Sequence, residues 1–417
     1  MPVAPRSEGA RPGGAREKDK RLLGIVQTLI AVTLLSSSAS AQDSALPFPD
    51  EHILDAHDST LRIQSIATRV TAFDQYGHGF QSQAGPVRGP GSERATIFEP
   101  QAEVIATQGE RLTHRLWVPV DVVTAASPNS IARPDAMSGA SRRVIAGTMD
   151  WTATYKVDAS TDLSMRNGLH LEEPFRSWHN GLMATHSLAD DNTLLSANVI
   201  ELIDWFDRFD IHGSRHGHTT RTGTSGTVSM TQIVTATTVV NVNYGITVLA
   251  GTMGNTWNSV PVAGGSRGAE RLPDERVRHA LVARASQFLP WNGVLRAYYR
   301  FYTDDWGIIA HSMEAQIMQR LSSVLYVGGL YRFHTQTGTT FFTTRASPAE
   351  LLRVADSDLA PLDSHTIGGK VVADFPLMGQ GRPWHIESLH FEAGYERYFR
   401  TNDLQMNIVT WEAGFHF

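Results

Sequence analysis

Val409-Thr410-Trp411-Glu412-Ala413-Gly414-Phe415-His416-Phe417 closes the chain. Val409, Trp411, Ala413, Phe415 and Phe417 share one parity, and Thr410, Glu412 and His416 share the other. Successive side chains of a strand point to opposite faces. The stretch therefore reads as a ribbon with one greasy face and one polar face, and the polar face carries a carboxylate.

Working back along the chain, the alternation recurs in segments of about ten residues. Met149, Trp151, Ala153 and Tyr155 oppose Asp150, Thr152, Thr154 and Lys156 in residues 145–157. Leu163, Met165, Leu169 and Leu171 oppose Ser164, Arg166 and His170. Residues 293–302, 309–317 and 367–375 repeat the pattern. Residues 60–73, 116–124, 176–188 and 194–206 mix the two classes and are placed as strands by spacing.

The first 41 residues read as an export signal: Lys18, Lys20 and Arg21, then an apolar run to Leu35, then Ala39-Ser40-Ala41. Residues 42–58 form a short segment ahead of the strands, and 59–417 a single domain. Beyond the leader no apolar run is long enough for a membrane helix. In lipid only helices and closed barrels satisfy their backbone groups. The expected fold is therefore all-β: a transmembrane antiparallel up-and-down β-barrel of about sixteen strands. A propeller is disfavoured because no repeat of about forty residues is present.

The connections support this reading. With the first strand rising from the periplasm, short turns fall near 108–111, 158–162, 189–192, 235–238, 290–293, 320–323 and 377–383. Long outer loops fall at 75–94, 125–142, 207–223, 252–274 and 336–363. All the long ones emerge on one side.

Charge and composition exclude several functions. Charged residues make up 19% of the chain, below the usual quarter. Removing six basic and three acidic leader residues leaves 30 basic and 39 acidic, about −9 overall, which disfavours nucleic acid. Cysteine is absent, which excludes a lipoprotein anchor, disulfides, thiolate metal sites and covalently attached haem. No cofactor is expected.

A terminal Phe on an alternating last strand resembles the carboxy-terminal signal of outer-membrane proteins, with Trp411, Phe415 and Phe417 as its apolar residues. The resemblance implies the barrel-assembly machinery as a partner, and lipid with lipopolysaccharide as surroundings. Residues 276–280, Arg-Val-Arg-His-Ala, through Tyr298-Tyr299-Arg300-Phe301-Tyr302-Thr303-Asp304-Asp305-Trp306-Gly307 resemble a bacterial family catalogued as a domain of unknown function, number thirty-five-seventy. Ser138-Gly139-Ala140-Ser141-Arg142, and Thr252-Met253-Gly254-Asn255 to Val260-Pro261-Val262, resemble it too. The likeness covers most of the chain after the leader and is best from about Thr222 to Thr340. It implies an outer-membrane barrel and brings no activity, substrate or catalytic residue.

Parity places Arg276, Arg278 and Arg284 on the polar face of one strand and Arg296 and Arg300 on that of the next. Arg332 with His334, and Glu314, Glu392 and Glu396, also point inward. Two readings stay open: a guanidinium-lined constriction favouring anionic or carboxylate solutes, or an Arg–Glu ladder that braces the wall. His212, His216 and His218, near Asp207 and Asp210, either hold zinc or copper in an outer loop or are solvated. Asp304-Asp305 either serves acid–base or calcium chemistry or builds a tight outer turn. Ser164, His170, Ser312 and His334 share lumenal parity, but no local motif ties them into a hydrolase triad, so no enzyme is expected. The leading function is a porin-like channel. The alternatives are a non-conducting scaffold that binds a periplasmic lipoprotein or redox partner, and an outer-membrane hydrolase.

Overall fold

β-branched and aromatic residues alternating with Thr, Ser and Asn drive long strands, and Asn and Asp supply the left-handed turn positions, as at Asn292 (φ 60°) and Asp403 (φ 66°). The computed structural model describes residues 60–77, 95–123, 144–173, 175–209, 215–254, 259–264, 267–377 and 386–417. The expected export leader, residues 42–58 and the 138–142 element lie outside the described residues.

The wall begins with β1 (Leu61–Gly77), β2 (Ala95–Gln108), β3 (Leu112–Val123), β4 (Val144–Lys156) and β5 (Thr161–Glu172). It continues with β6 (Phe175–Leu188), β7 (Thr193–Phe209), β8 (Arg215–Thr235) and β9 (Thr238–Gly251). β10 (Ser259–Pro261) and β11 (Arg267–Ala269) pair with each other inside an outer loop. The wall resumes with β12 (Glu275–Leu289), β13 (Gly293–Asp304), β14 (Ile309–Arg320) and β15 (Leu325–Gln336). β16 (Leu362–Pro376), β17 (Ser388–Arg400) and β18 (Leu404–His416) complete it.

Each wall strand is antiparallel to its neighbours, and β1 closes on β18 from Ser65↔His416 to Gly77↔Leu404. The result is a closed barrel of sixteen strands, the number expected from the sequence. Closure removes both sheet edges, which lipid requires. Trp411 and Phe415 take the outward parity of β18, with Trp411 50% exposed, and the Phe417 N–H continues the seam to the Gln64 carbonyl at 3.0 Å.

The apolar residues face outward and the polar ones inward. Leu163, Leu182, Met313 and Ile367 are each at least half exposed, while Asp150, Asp204 and Glu412 are buried in the inner wall. Near the outer end of the wall, three lipid-facing pairs repeat one geometry. The Tyr hydroxyl lies 2.8 Å from the His Nδ1 in Tyr244–His279, Tyr299–His311 and Tyr331–His365. Each pair satisfies two polar tips that sit at the membrane boundary.

One loop expectation needs correction. β8 begins at Arg215, so the expected long loop 207–223 shrinks to 210–214. His216 and His218 therefore stand on a strand and not in a glycine-rich loop. The cause is a bulge between Asp207 and Phe209 that lets the β7–β8 ladder continue upward. The outer connections 305–308 and 401–403 are tight turns.

The described residues of 252–274 pack against the long loop 337–361. Val260, Ala346 and Ala355 form a fully buried apolar cluster, and bridges join Val262 to Ala346 and Arg271 to Arg353. A one-turn 3-10 helix, Ser357–Leu359, sits against Arg400. Arg400 has the lumenal parity of β17, and its guanidinium donates to Asp358 Oδ1 (2.6 Å) and Ser357 Oγ (2.9 Å). Loop 337–361 thus leans inward over the β12–β17 side of the mouth.

Candidate functional site: the lumenal wall

Six inward acids are each braced by a basic side chain on a neighbouring strand. Arg69 meets Glu412 at 2.5 Å, Arg115 meets Glu103 at 2.7 Å and Arg166 meets Asp150 at 2.5 Å. Arg221 meets Asp204, and Arg332 meets Glu314, each at 2.5 Å. Lys370 meets Glu392 at 2.9 Å. The partners stand directly opposite or diagonally across a strand pair, within side-chain reach. Along much of the described inner face, ion pairs thus tie neighbouring strands together.

β12 and β13 depart from it. Register sets Arg278 opposite Asp304, Arg300 opposite Val282, Arg284 opposite Tyr298 and Arg296 opposite Ser286. In the frame of β12 the four guanidiniums root at positions 278, 282, 284 and 286, a column along one wall. Arg284 lies over the Tyr298 ring at 5.6 Å and Arg300 over Tyr302 at 5.3 Å. Arg296 donates to Gln316 Oε1 at 3.2 Å. Among the described residues no carboxylate lies within ion-pair distance of Arg278, Arg284 or Arg300. The Arg278 Nε is buried without a hydrogen-bond partner.

Arg284, Arg296, Arg300 and Arg332 line an open recess of about 350 Å³ with Tyr298 and Glu314. Glu314 is spent on Arg332, so the recess carries a net positive charge. A guanidinium presents a planar fork that matches a carboxylate with two parallel hydrogen bonds. Stacking on an aromatic ring leaves that fork free.

The remaining sequence candidates fall elsewhere. Arg276 takes lumenal parity but is buried beneath the outer loops, between Asp304 (2.5 Å) and the Trp306 ring (4.2 Å). Asp304 builds the tight outer turn: its Oδ1 accepts the Trp306 and Ile308 amides at 3.1 and 2.9 Å. Glu396 lies over Gly368, where a Cβ would come within 2.6 Å of its Cγ. His218 meets Asp207 at 2.8 Å, as does Arg215. His212 and Asp210 lie outside the described residues, and among the described residues no cluster of three or more His, Asp or Glu is placed to hold a metal. Ser312 Oγ lies 2.8 Å from His334 Nδ1, and His334 Nε2 lies 3.1 Å from Gln336 Oε1. A neutral amide orients an imidazole but does not stabilise imidazolium charge as a carboxylate does. The sequence reading missed the Tyr298 and Tyr302 platforms. The lumenal parity they share with the arginines was the available signal.

A greasy exterior, a closed wall and a charged interior define a porin-like outer-membrane β-barrel. Residues 152–409 match the family described as Protein of unknown function (DUF3570), and the chain belongs to that family. No curated protein matches the sequence. Among solved structures, a BenF-like porin from Pseudomonas fluorescens Pf-5 is similar with a TM-score of 0.43 at 8% identity, covering 85% of this chain and 99% of that one. OccK9 (OpdG) of Pseudomonas aeruginosa gives 0.43 at 9%, covering 87% and 100%. A structure titled bacterial polysaccharide outer membrane secretin gives 0.44 at 8%, covering 87% and 100%.

Proposed function

We propose that the protein is a passive outer-membrane channel that favours small anionic solutes, carboxylates in particular. The carrying observation is the arginine column on β12 and β13, where among the described residues no acid stands within ion-pair distance of Arg278, Arg284 or Arg300. A barrel of sixteen strands is wide enough for an aqueous passage. A positive wall in such a passage raises the local anion concentration and repels cations. The terminal Phe417 supports delivery by the barrel-assembly machinery, and the apolar exterior supports surroundings of lipid and lipopolysaccharide.

The test is conductance of purified, heat-modifiable protein in planar bilayers under a salt gradient. Steady channels with a reversal potential on the anion side are expected. Arg284→Gln with Arg300→Gln should move that potential toward zero. Absence of steady conductance in folded protein would remove the channel reading. A second reading, a non-conducting scaffold, is favoured by one observation: loops 252–274 and 337–361 are packed together over part of the mouth. In that case the packed loops would be the surface offered to a partner, such as a periplasmic lipoprotein or redox protein if it is reached from the lumen.

A further inference from the structure

Asn167 on β5, Asn180 on β6, Glu201 on β7 and Thr224 on β8 form one register row. All four take the outward parity of their strands. The residues two positions above and below include Leu169, Trp178, Met165, Leu182 and Val199, all exposed apolar side chains. The row ends against Trp151 on β4 and Val248 on β9. It is a polar stripe crossing four strands in the middle of a greasy belt.

Its depth makes it unusual. Each of the four residues stands five or more positions from either end of its strand. At a rise of about 3.3 Å per residue and a tilt of about 40°, that is about 12 Å from the strand ends, near the middle of a belt about 25 Å tall. Among the described residues Glu201 is the one Asp, Glu, Lys or Arg facing outward at such depth. Thr224 donates to its two oxygens at 3.1 and 2.9 Å. Among the described residues no other side chain bonds to it, and Asn167 and Asn180 make no side-chain hydrogen bond. Lipid tails offer such groups no hydrogen bond.

We propose that the β5–β8 face is the contact between two copies of this chain, related by a twofold axis along the membrane normal. The stripe is self-complementary: Asn amide donors lie on one side of its midpoint and the Glu201 acceptor on the other. An axis passing between Asn180 and Glu201 sets Asn180 of each copy against Glu201 of the other, so one contact is made twice, as an isologous interface requires. Neighbouring strands are about 4.8 Å apart, so tilt offsets the two residues in height by only about 3 Å, which their side chains span. The apolar residues above and below the stripe then pack against their counterparts. Buried between protein walls, Glu201 gains the donors that hydrocarbon withholds.

The chain has no cysteine, so introduced thiols are the only ones present. The experiment co-expresses an Asn180→Cys chain and a Glu201→Cys chain with different tags and oxidises intact outer membranes. In that pair the second Asn180–Glu201 contact remains whole. A disulfide-linked species bearing both tags is expected, in excess over a control pair, Val371→Cys with Tyr395→Cys, on β16 and β17. Cross-linking no greater than the control, or cross-linking only to a different protein, would overturn the proposal. As a second measurement, sedimentation in mild detergent should give the mass of two barrels for the natural chain and of one for Asn180→Leu with Glu201→Leu, both heat-modifiable. Equal masses would overturn it as well. Neither readout depends on whether the lumen conducts.

Discussion

Asp304 stands opposite Arg278 in the β12–β13 register, yet its carboxylate is held by Arg276, with Nη2 to Oδ2 at 2.5 Å. The diagonal choice has two consequences. The outer turn is locked, because the same carboxylate also accepts the Trp306 and Ile308 amides. Among the described residues Arg278, at the outer end of the arginine column, has no ion-paired acid.

Removing that carboxylate should be costly. Asp304→Ala strands a buried Arg276 and frees the turn amides, a loss of about 3–5 kcal/mol for breaking a buried pair. Asp304→Asn, which keeps an acceptor for the amides, should lose less. Urea titration of refolded barrel in micelles measures both. Equal midpoints for Asp304→Ala and the natural chain would show that the outer turn does not hold the wall together.

Gly368 gives Glu396 room on the inner wall. Gly368→Val should push Glu396 off the strand and cost about 1–3 kcal/mol, the usual range for overpacking. Gly369→Val on the adjacent, outward position is the comparison, since the nearest atom to a Cβ there is the Gly328 carbonyl oxygen at 3.2 Å. If Gly368→Val proves harmless, the Glu396 side chain is free to rest elsewhere.

The Tyr–His pairs of the outer boundary should contribute modestly. Tyr299→Phe leaves His311 Nδ1 without its hydroxyl partner and should cost about 0.5–1 kcal/mol, the scale of side-chain hydrogen bonds in membrane proteins. His311→Phe, which removes both halves of the polar contact when combined with Tyr299→Phe, should recover part of that loss. A double variant less stable than the sum of the singles would argue against a simple paired contact.

Burial pushes the Asp356 carboxyl above the ordinary carboxylate range, and neighbouring Asp358 pushes the same way, against Arg400 and Arg276. A raised folded value means that the charged form disfavours the seated loop. The seat is therefore firmest in acid and weakens as pH rises from the ordinary carboxylate range through the raised value. Hydrogen exchange in 337–361 should accelerate over that window. Asp356→Asn, which keeps an acceptor for the Asp358 amide, should flatten the dependence. A variant with the same pH profile as the natural chain would move the effect to another group.

The sixteen-strand barrel was legible in the sequence, because period-two alternation is a local property and because loops sort by side once strands alternate in direction. Residues 215–223 do not read as strand from the sequence, since Thr220, Thr222 and Thr224 give β8 an outward face that is not apolar there, and alternation in polarity does not reveal it. Inward placement of Arg284, Arg296 and Arg300 followed from parity alone.

What parity does not contain is who meets whom across the wall. Which acids are spent on which arginines depends on the stagger between strands and on the diagonal reach of the side chains, as when Asp304, opposite Arg278, pairs with Arg276. The unneutralised column, the loops seated on Arg400 and the outward stripe through Glu201 all arise from that stagger, set when the barrel closes Ser65 on His416. Sequence determined which face each side chain looks toward; the closed register decided its neighbours, because hydrogen-bonded pairing brings together residues that the chain keeps far apart.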